Sequence, residues 1–548
     1  MAAAVAAGTA VIGAQAARLE HWIVDDAAIT FAYARNLSEG LGPVVQPGAD
    51  AVEGYSNPTW TALLALGRLV GLFDRGTIFG IPDYVLFPKV LGLLCCVGIL
   101  IAFHSAAAMV MRRPWIATLV GALALAAVPS FVIWTFSGLE NPLYAALVVG
   151  LAVVTFRAVL SGRLRTPRVA VVTGVLAALA ALTRPEGAVY AAVFPVVVLI
   201  HLRRDNLRSS IVQVLVSVAA FVVPFGGYLL WRVLVFGRLV ANTAVAKRQE
   251  VPAIEELTRA GDLVQYVGAL AVLVAVVLVG LALARSSRWR DGMFALLVPL
   301  ALALAAYAVL KPDWMGQYRF ATPVWALSAL VFALAVVEVF RAARARGRIL
   351  VGAALVVVLA PSLMSLERTM RDFEAKPTLP MCFIAERFGN MFNQYADILD
   401  VREGTVLEPD LGGTSLTSRL RIIDMAGLVD DEIADFYHDS DMAALREHVF
   451  EEVKPTFMHF RLYWGGVTGI ATDPRLERDY VPLYIYPAPA EFGGDFVRRD
   501  AVTDPNLLAA AQDYANENVA STESKIFEWG LRKCGDRLTP GQTALGVR

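Results

Sequence analysis

Apolar runs long enough to cross a hydrocarbon core of roughly 30 Å recur from the N-terminus to residue 366 and then stop. In lipid a backbone must satisfy its own polar groups, so runs of this kind are confined to helices packed on one another. Helices are predicted at 2–18, 84–110, 114–134, 138–160, 168–183, 186–202, 210–236, 263–285, 291–310, 320–341 and 349–366. The first run lacks a charged segment before it and is read as a retained membrane helix, with no cleavable leader. Only 18% of residues are charged, and the net charge of −1 offers no basic field, which argues against nucleic acid as a partner.

The basic residues fall in alternate short connections. Arg112/Arg113, Arg163/Arg165/Arg168, Arg203/Arg204/Arg208, Arg285/Arg288/Arg290 and Arg341/Arg344/Arg346/Arg348 mark one side, which the positive-inside rule assigns to the cytoplasm. The expected topology has about eleven crossings, the N-terminus inside and the C-terminus outside a bacterial plasma membrane. The opposite connections then hold Asp25, Asp26, Glu53, Glu140, Arg184, Glu186, Asn242, Lys247 and Arg319, together with the whole chain after Leu366. A solute carrier would hold such residues within its spans, near the midplane of repeated halves, and no such repeat is visible. The chemistry is expected at the external membrane face.

The first external loop, about residues 19–83, opens with the adjacent pair Asp25-Asp26. Ile29, Tyr33, Asn36 and Leu37 share one side of a helix ending near Gly40, which predicts an amphipathic helix lying on the membrane. One aspartate at a helix start is explained by capping and the helix dipole; two are not. Asp25 is the preferred catalytic base, with Asp26 capping the helix or holding an ion, and the reverse assignment stays open. Gly42, Pro43, Pro47 and Gly48 punctuate the stretch that follows, and Asn57-Pro58 starts a second interfacial helix over Thr59 to Phe73.

The stretch DDAAITFAYARNLSEGLGPVVQPGADAVEGYSNPTW resembles the first-loop signature of integral-membrane glycosyltransferases of the GT-C class, which use polyprenyl-phosphate sugars. Within that class it is most similar to the terminal β-(1→2)-arabinofuranosyltransferase type in Asp25-Asp26, Arg35-Asn36-Leu37 and Gly42-Pro43-Val44, while Glu53 to Pro58 resembles a broader bacterial set. The resemblance implies a catalytic aspartate in this loop, a lipid-phosphate sugar donor, a cell-envelope glycan acceptor and inversion at the anomeric carbon. It requires no cofactor, although a divalent cation at Asp25 or Asp26 is compatible with it. Glu53 and Tyr55 are candidate acceptor contacts.

A departing lipid phosphate needs a cation. Arg184, in LTRPEG, is a candidate whose plain alternative is a turn arginine paired with Glu186. Asn242 and Lys247, in VANTAVAKRQE, resemble an N-T-x-x-x-K element of related GT-C proteins and are candidate donor-phosphate ligands. Arg319 sits beside Trp314, Tyr318 and Phe320 in an aromatic belt at a span entrance, suited to bidentate recognition of phosphate.

After Leu366 the composition turns polar, and residues 367–548 are long enough for a separate external domain beside the membrane part, 1–366. GTVLEPD, RLRIIDMAG, PTFMHFRLYW and DYVPLYIY read as strands and DMAALREHVFEEV as a helix, so the expectation is a mixed α/β domain behind a polytopic α-helical membrane part. Asp410 and Asp424 either line an acceptor groove or shape turns. Trp464, Tyr463, Tyr484, Tyr486 and Phe492 are either sugar-stacking or core. Cys382 and Cys534 bracket the domain, and an oxidising compartment favours a disulfide between them. No metal-binding motif is visible. A lipid-linked sugar transporter or flippase, and a membrane-anchored glycan-binding or assembly factor, remain as other classes.

Overall fold

The computed structural model describes residues 1–248, 254–284, 287–487, 493–530 and 534–542; Arg285 and Phe492 lie outside the described residues. Among the described residues, six helices are long and apolar enough to cross a membrane: Asp83–Ala107, Asn141–Leu160, Arg204–Phe236, Trp289–Val309, Arg319–Ala342 and Ala345–Ala375. Two further apolar stretches are pairs of helices bent at a short break, each a broken span or a re-entrant loop. Pro114–Ala126 and Pro129–Thr135 meet at 84°, where one straight helix was expected, because Pro129 has no N–H to continue the ladder. Leu257–Val267 and Ala269–Leu283 meet at 98°. Ala2–Ala17, Pro167–Thr183 and Pro185–Ile200 are apolar helices of 10–17 residues, short of the roughly 20 needed to span, so length and composition support six to eight crossings rather than eleven. The chain is a multi-pass membrane protein.

Contacts divide the chain into two compact units, each built from separated segments. The first comprises Met1–Glu20, Pro88–Leu230 and Glu250–Ala375. Its helices are joined by polar links typical of membrane packing. Trp325 Nε1 donates to Ser130 Oγ at 2.9 Å, Trp134 Nε1 to the Gln317 carbonyl at 2.9 Å, and Asn141 Nδ2 to Thr322 Oγ1 at 3.0 Å. Arg18, just past the first helix, pairs with Glu367 at 2.9 Å and with Glu374, both on the helix Ala345–Ala375.

The second unit comprises His21–Phe87, Trp231–Gln249 and Lys376–Arg548. It therefore takes in the loop after the first helix, which differs from a simple cut between 366 and 367. A two-stranded hairpin, β1 (Thr77–Ile78) and β2 (Ile81–Pro82), precedes a five-stranded sheet of β3 (Thr405–Glu408), β4 (Arg421–Asp424), β5 (Phe457–Phe460), β6 (Tyr480–Ile485) and β7 (Gly494–Arg498). The sheet order is β4-β3-β5-β7-β6. β3 runs parallel to β4 and β5, with Leu407 opposite both Ile423 and Met458, while β7 is antiparallel to β5 and β6. Leu407, Ile423, Met458, Phe460 and Phe496 pack with Ile433 and Leu445 of the neighbouring helices in one core cluster. Four strands match the apolar segments read from the sequence. β7 does not, since GDFVR has a glycine and a charged residue where a strand signal needs apolar alternation.

Helix Asp25–Ser38 departs from its expected place on the membrane surface. Ala27, Ala28, Phe31, Ala32, Tyr33 and Ala34 are all buried, so it runs through the interior of the unit, and its small alanines let neighbours approach from every side. The EGYSNP stretch explains part of this seat. Tyr33 OH donates to the Val52 carbonyl at 2.6 Å and accepts from Gly54 N at 3.1 Å, and Asn57 hydrogen-bonds with Thr30 and Thr61. Asp74 is gripped by Arg35 at 2.6 Å and Arg68 at 3.0 Å, which fixes the end of the following helix, Pro58–Leu69.

Candidate active site

Neither aspartate of the pair caps its helix. Val24 is the N-cap, in extended conformation, and Asp25 and Asp26 are the first two helical residues. The reason lies in residues 376–381: Asp25 N donates to the Leu379 carbonyl and Met381 N to the Ile23 carbonyl, both at 3.0 Å, so the chain enters the helix as a short paired strand. Asp25 is buried, and both carboxylate oxygens are occupied, Oδ1 by Gly413 N at 2.7 Å and Oδ2 by Gly412 N at 3.1 Å. Gly412 cannot be anything larger: a Cβ there would stand 2.2 Å from the Asp25 carbonyl oxygen. Asp25 is thus the residue that seats the helix, contrary to its expected place at an open cavity. Asp26 is only half-buried.

The same cradle gathers further carboxylates from the end of β3. Glu408 is fully buried, with Oε2 accepting from Asp410 N at 3.0 Å. Asp410 precedes helix Leu411–Thr417. Burial, then the charge of Asp26, pushes the Asp25 carboxyl well above the usual carboxylate range, against the pull of the two glycine N–H groups. Burial, then the charges of Asp410, Asp25 and Asp424, pushes Glu408 up as well. The structure thus brings Asp25, Asp26, Glu408 and Asp410 into one acidic centre. Glu408 escaped the sequence reading, although the E-x-D-x-G-G pattern that carries it was in view.

The other candidates behave differently. Asp424, fully buried, accepts from Ala426 N at 2.9 Å, Leu428 N at 2.5 Å and Val429 N at 3.0 Å, so it shapes the loop after β4; burial pushes it up to about 7 against those bonds. Asn242, also buried, spends its amide on the carbonyls of Gly427 at 2.8 Å, Asp430 at 3.1 Å and Leu428 at 3.2 Å. Its backbone N donates to the Glu53 carbonyl at 3.1 Å, while the Glu53 carboxylate holds Arg232. Tyr55 is buried edge-on to Tyr33, with ring centroids 4.9 Å apart. Asn242, Glu53, Tyr55 and Asp424 therefore form a clamp between segments of this unit. Lys247, five residues on, is exposed.

In the first unit, Arg184 is buried between Glu140 and Glu186, with its guanidinium 4.7 Å from the Phe320 ring centroid. Arg319 Nε stands 3.1 Å from Asp313 Oδ2. Cys382 and Cys534 are joined by a disulfide. The His459 ring donates through Nδ1 to Asp495 at 2.7 Å, and Asp495 also accepts from Arg387 Nη2 at 3.0 Å and Tyr395 OH at 2.9 Å, a buried network that no motif announced. Among the described residues, the three-residue set with ligand atoms close enough for a metal ion is Glu432, His448 and Glu452, which includes neither aspartate of the pair.

The fold is shared with solved structures of two other proteins. ArnT from Cupriavidus metallidurans aligns over 92% of this chain and 98% of its own, with a TM-score of 0.54 at 13% identity, and its undecaprenyl-phosphate-bound crystal structure aligns over 92% and 99% with 0.53 at 12%. The oligosaccharyltransferase of Archaeoglobus fulgidus, crystallised with Zn and sulfate, aligns over 90% of this chain and 73% of its own, with 0.51 at 14%. Likeness at such identities concerns the fold alone. Comparison with protein-family models and with curated sequences gives no match.

Proposed function

We propose that the protein is a glycosyltransferase that moves a sugar from a polyprenyl-phosphate donor to a cell-envelope glycan acceptor, with inversion, on the external side of a bacterial plasma membrane. The observation that carries this reading is the acidic centre, in which Asp25 is locked onto Gly412 and Gly413 and thereby fixes its half-buried neighbour Asp26. The fold shared with ArnT supports it, as do the first-loop resemblance to GT-C transferases and the binding of undecaprenyl phosphate by ArnT. Asp26 acts as the base: it takes the proton of the acceptor hydroxyl while that oxygen bonds to C1 and the C1–O bond to the lipid phosphate breaks. Such a base is typically worth about 10²–10⁴-fold in rate. The polyprenyl phosphate leaves with the bonding pair, and the proton stays on the Asp26 carboxyl.

For the leaving phosphate, exposed Lys247 is the first choice and Arg319 the second. Arg184 is already outweighed by two carboxylates. The resemblance of the first loop makes arabinofuranose the sugar to test first. Purified protein in sealed proteoliposomes, given a panel of synthetic polyprenyl-phosphate sugars and a glycan acceptor, is expected to release polyprenyl phosphate and extend the acceptor with one donor. Movement of donor across the bilayer with no transfer from any of them would replace this reading by a flippase.

A further inference from the structure

Helix Pro58–Leu69 is apolar on both faces. Its inward face buries Trp60 and Leu64 together with Thr61 and Arg68, the last 1% exposed and satisfied by Asp74, Ser38 and Glu39. Its outward face and the residues just after it present Leu66, Leu69, Val70 and Leu72, with Leu69 62% exposed. A helix bathed in water keeps its outward face polar. The β1–β2 hairpin repeats the anomaly. Its two-residue turn is Phe79-Gly80, with both φ values positive, at +52° and +75°. Asn-Gly is the low-cost choice there, yet a phenylalanine occupies the strained position and stands 95% exposed.

What covers this patch follows from what it is joined to. The hairpin closes on Asp83, the first residue of span Asp83–Ala107: Asp83 Oδ2 accepts from Arg75 N and Gly76 N, both at 2.8 Å. The helix is held to the second turn of the same span, because Gly67 rests so closely on the Phe87 ring that a Cβ would stand 2.3 Å from it. Phe79 is four residues from Asp83, which bounds its distance from the span's first turn at roughly 14 Å. Arg75, exposed at the hairpin base, suits lipid phosphates.

We infer that helix Pro58–Leu69 and the β1–β2 hairpin form a wedge seated in the lipid bilayer beside the first two turns of span Asp83–Ala107, residues Asp83 to Phe87, with Phe79 among the acyl chains. The inference is independent of the transferase reading. It is tested on the full-length protein in phosphatidylcholine/phosphatidylglycerol nanodiscs, with Cys95 and Cys96 replaced by alanine and the environment-sensitive fluorophore NBD attached at Phe79→Cys. Leu69→Cys serves as a second site should the hairpin variant fail to fold, and Asp513→Cys, on an exposed helix position, as the aqueous reference. The wedge labels are expected to emit to the blue of the reference, to be quenched by lipid carrying a nitroxide on the acyl chain, and to resist iodide. Quenching by iodide equal to the reference would overturn the inference. So would shielding from both quenchers, which would mean that a second protein surface covers the patch.

Discussion

Asp25 and Asp26 are neighbours in sequence with opposite surroundings, and single substitutions should separate their roles. Asp26→Asn removes a proton acceptor with little change of shape and is expected to lower turnover by about 10²-fold or more, with donor affinity and thermal stability retained. Asp25→Asn sets an amide against one of two glycine N–H groups, and thermal denaturation should show a loss of roughly 1–3 kcal/mol. Equal loss of turnover without loss of stability in Asp25→Asn would reverse the assignment. Asp424 offers a pH test. Its value in the fold, about 7, lies above the ordinary 3.8, so the fold favours the neutral acid. That contribution is complete below about pH 4 and is lost as the pH rises to 7. Asp424→Asn does not titrate, so its stability relative to the parent should improve over that interval, by something of the order of 4 kcal/mol. A difference that stays flat from pH 4 to 8 would show the Asp424 value to be ordinary. Lys247→Ala, measured by donor binding, is expected to cost roughly 1.5–3 kcal/mol, the scale of a hydrogen bond to a charged group.

At the level of elements, membrane helices were legible because one signal, apolar length, decides them; nearly every predicted helix recurs within a few residues. The break at Pro129 was legible too, had the proline been weighed against the apolar run around it. The interior seat of helix Asp25–Ser38 was not. Its alanines read as neutral in sequence, and the partners that bury it, Gly412-Gly413 and Leu379, lie more than 350 residues away. For the same reason Asn242 looked like a phosphate ligand: a buried amide holding three carbonyls and an exposed amide holding a phosphate have the same local sequence. Asn242→Ala should therefore lower the unfolding temperature and leave donor affinity at the parental value. A fall in donor affinity with unchanged stability would restore the phosphate role.

For the whole molecule, the proposed orientation puts Arg203–Arg208 in the cytoplasm and residues 376–548 outside. In intact cells, a cysteine placed at Arg204 should resist an impermeant thiol reagent and one at Asp513 should react; the opposite pattern would invert the protein and its active face. The second unit also makes a claim about fragments. Because it draws on His21–Phe87 and Trp231–Gln249 as well as on the C-terminal segment, residues 376–548 expressed alone should lack the helix that Gly412 and Gly413 hold, and should be recovered aggregated or only partly folded. There is a consequence for biosynthesis. Residues 21–87 leave the ribosome long before the strand that carries Glu408 is translated, and at about 5–20 residues per second the wait is on the order of tens of seconds. During that wait Asp25 and Asp26 are already delivered but have no cradle, so the nascent chain inserts its membrane helices before the proposed centre exists. On the proposed reading the centre is completed only once β3 and Gly412-Gly413 have been made, and a premature stop between Ala375 and β3 would leave every span in place with no cradle for Asp25.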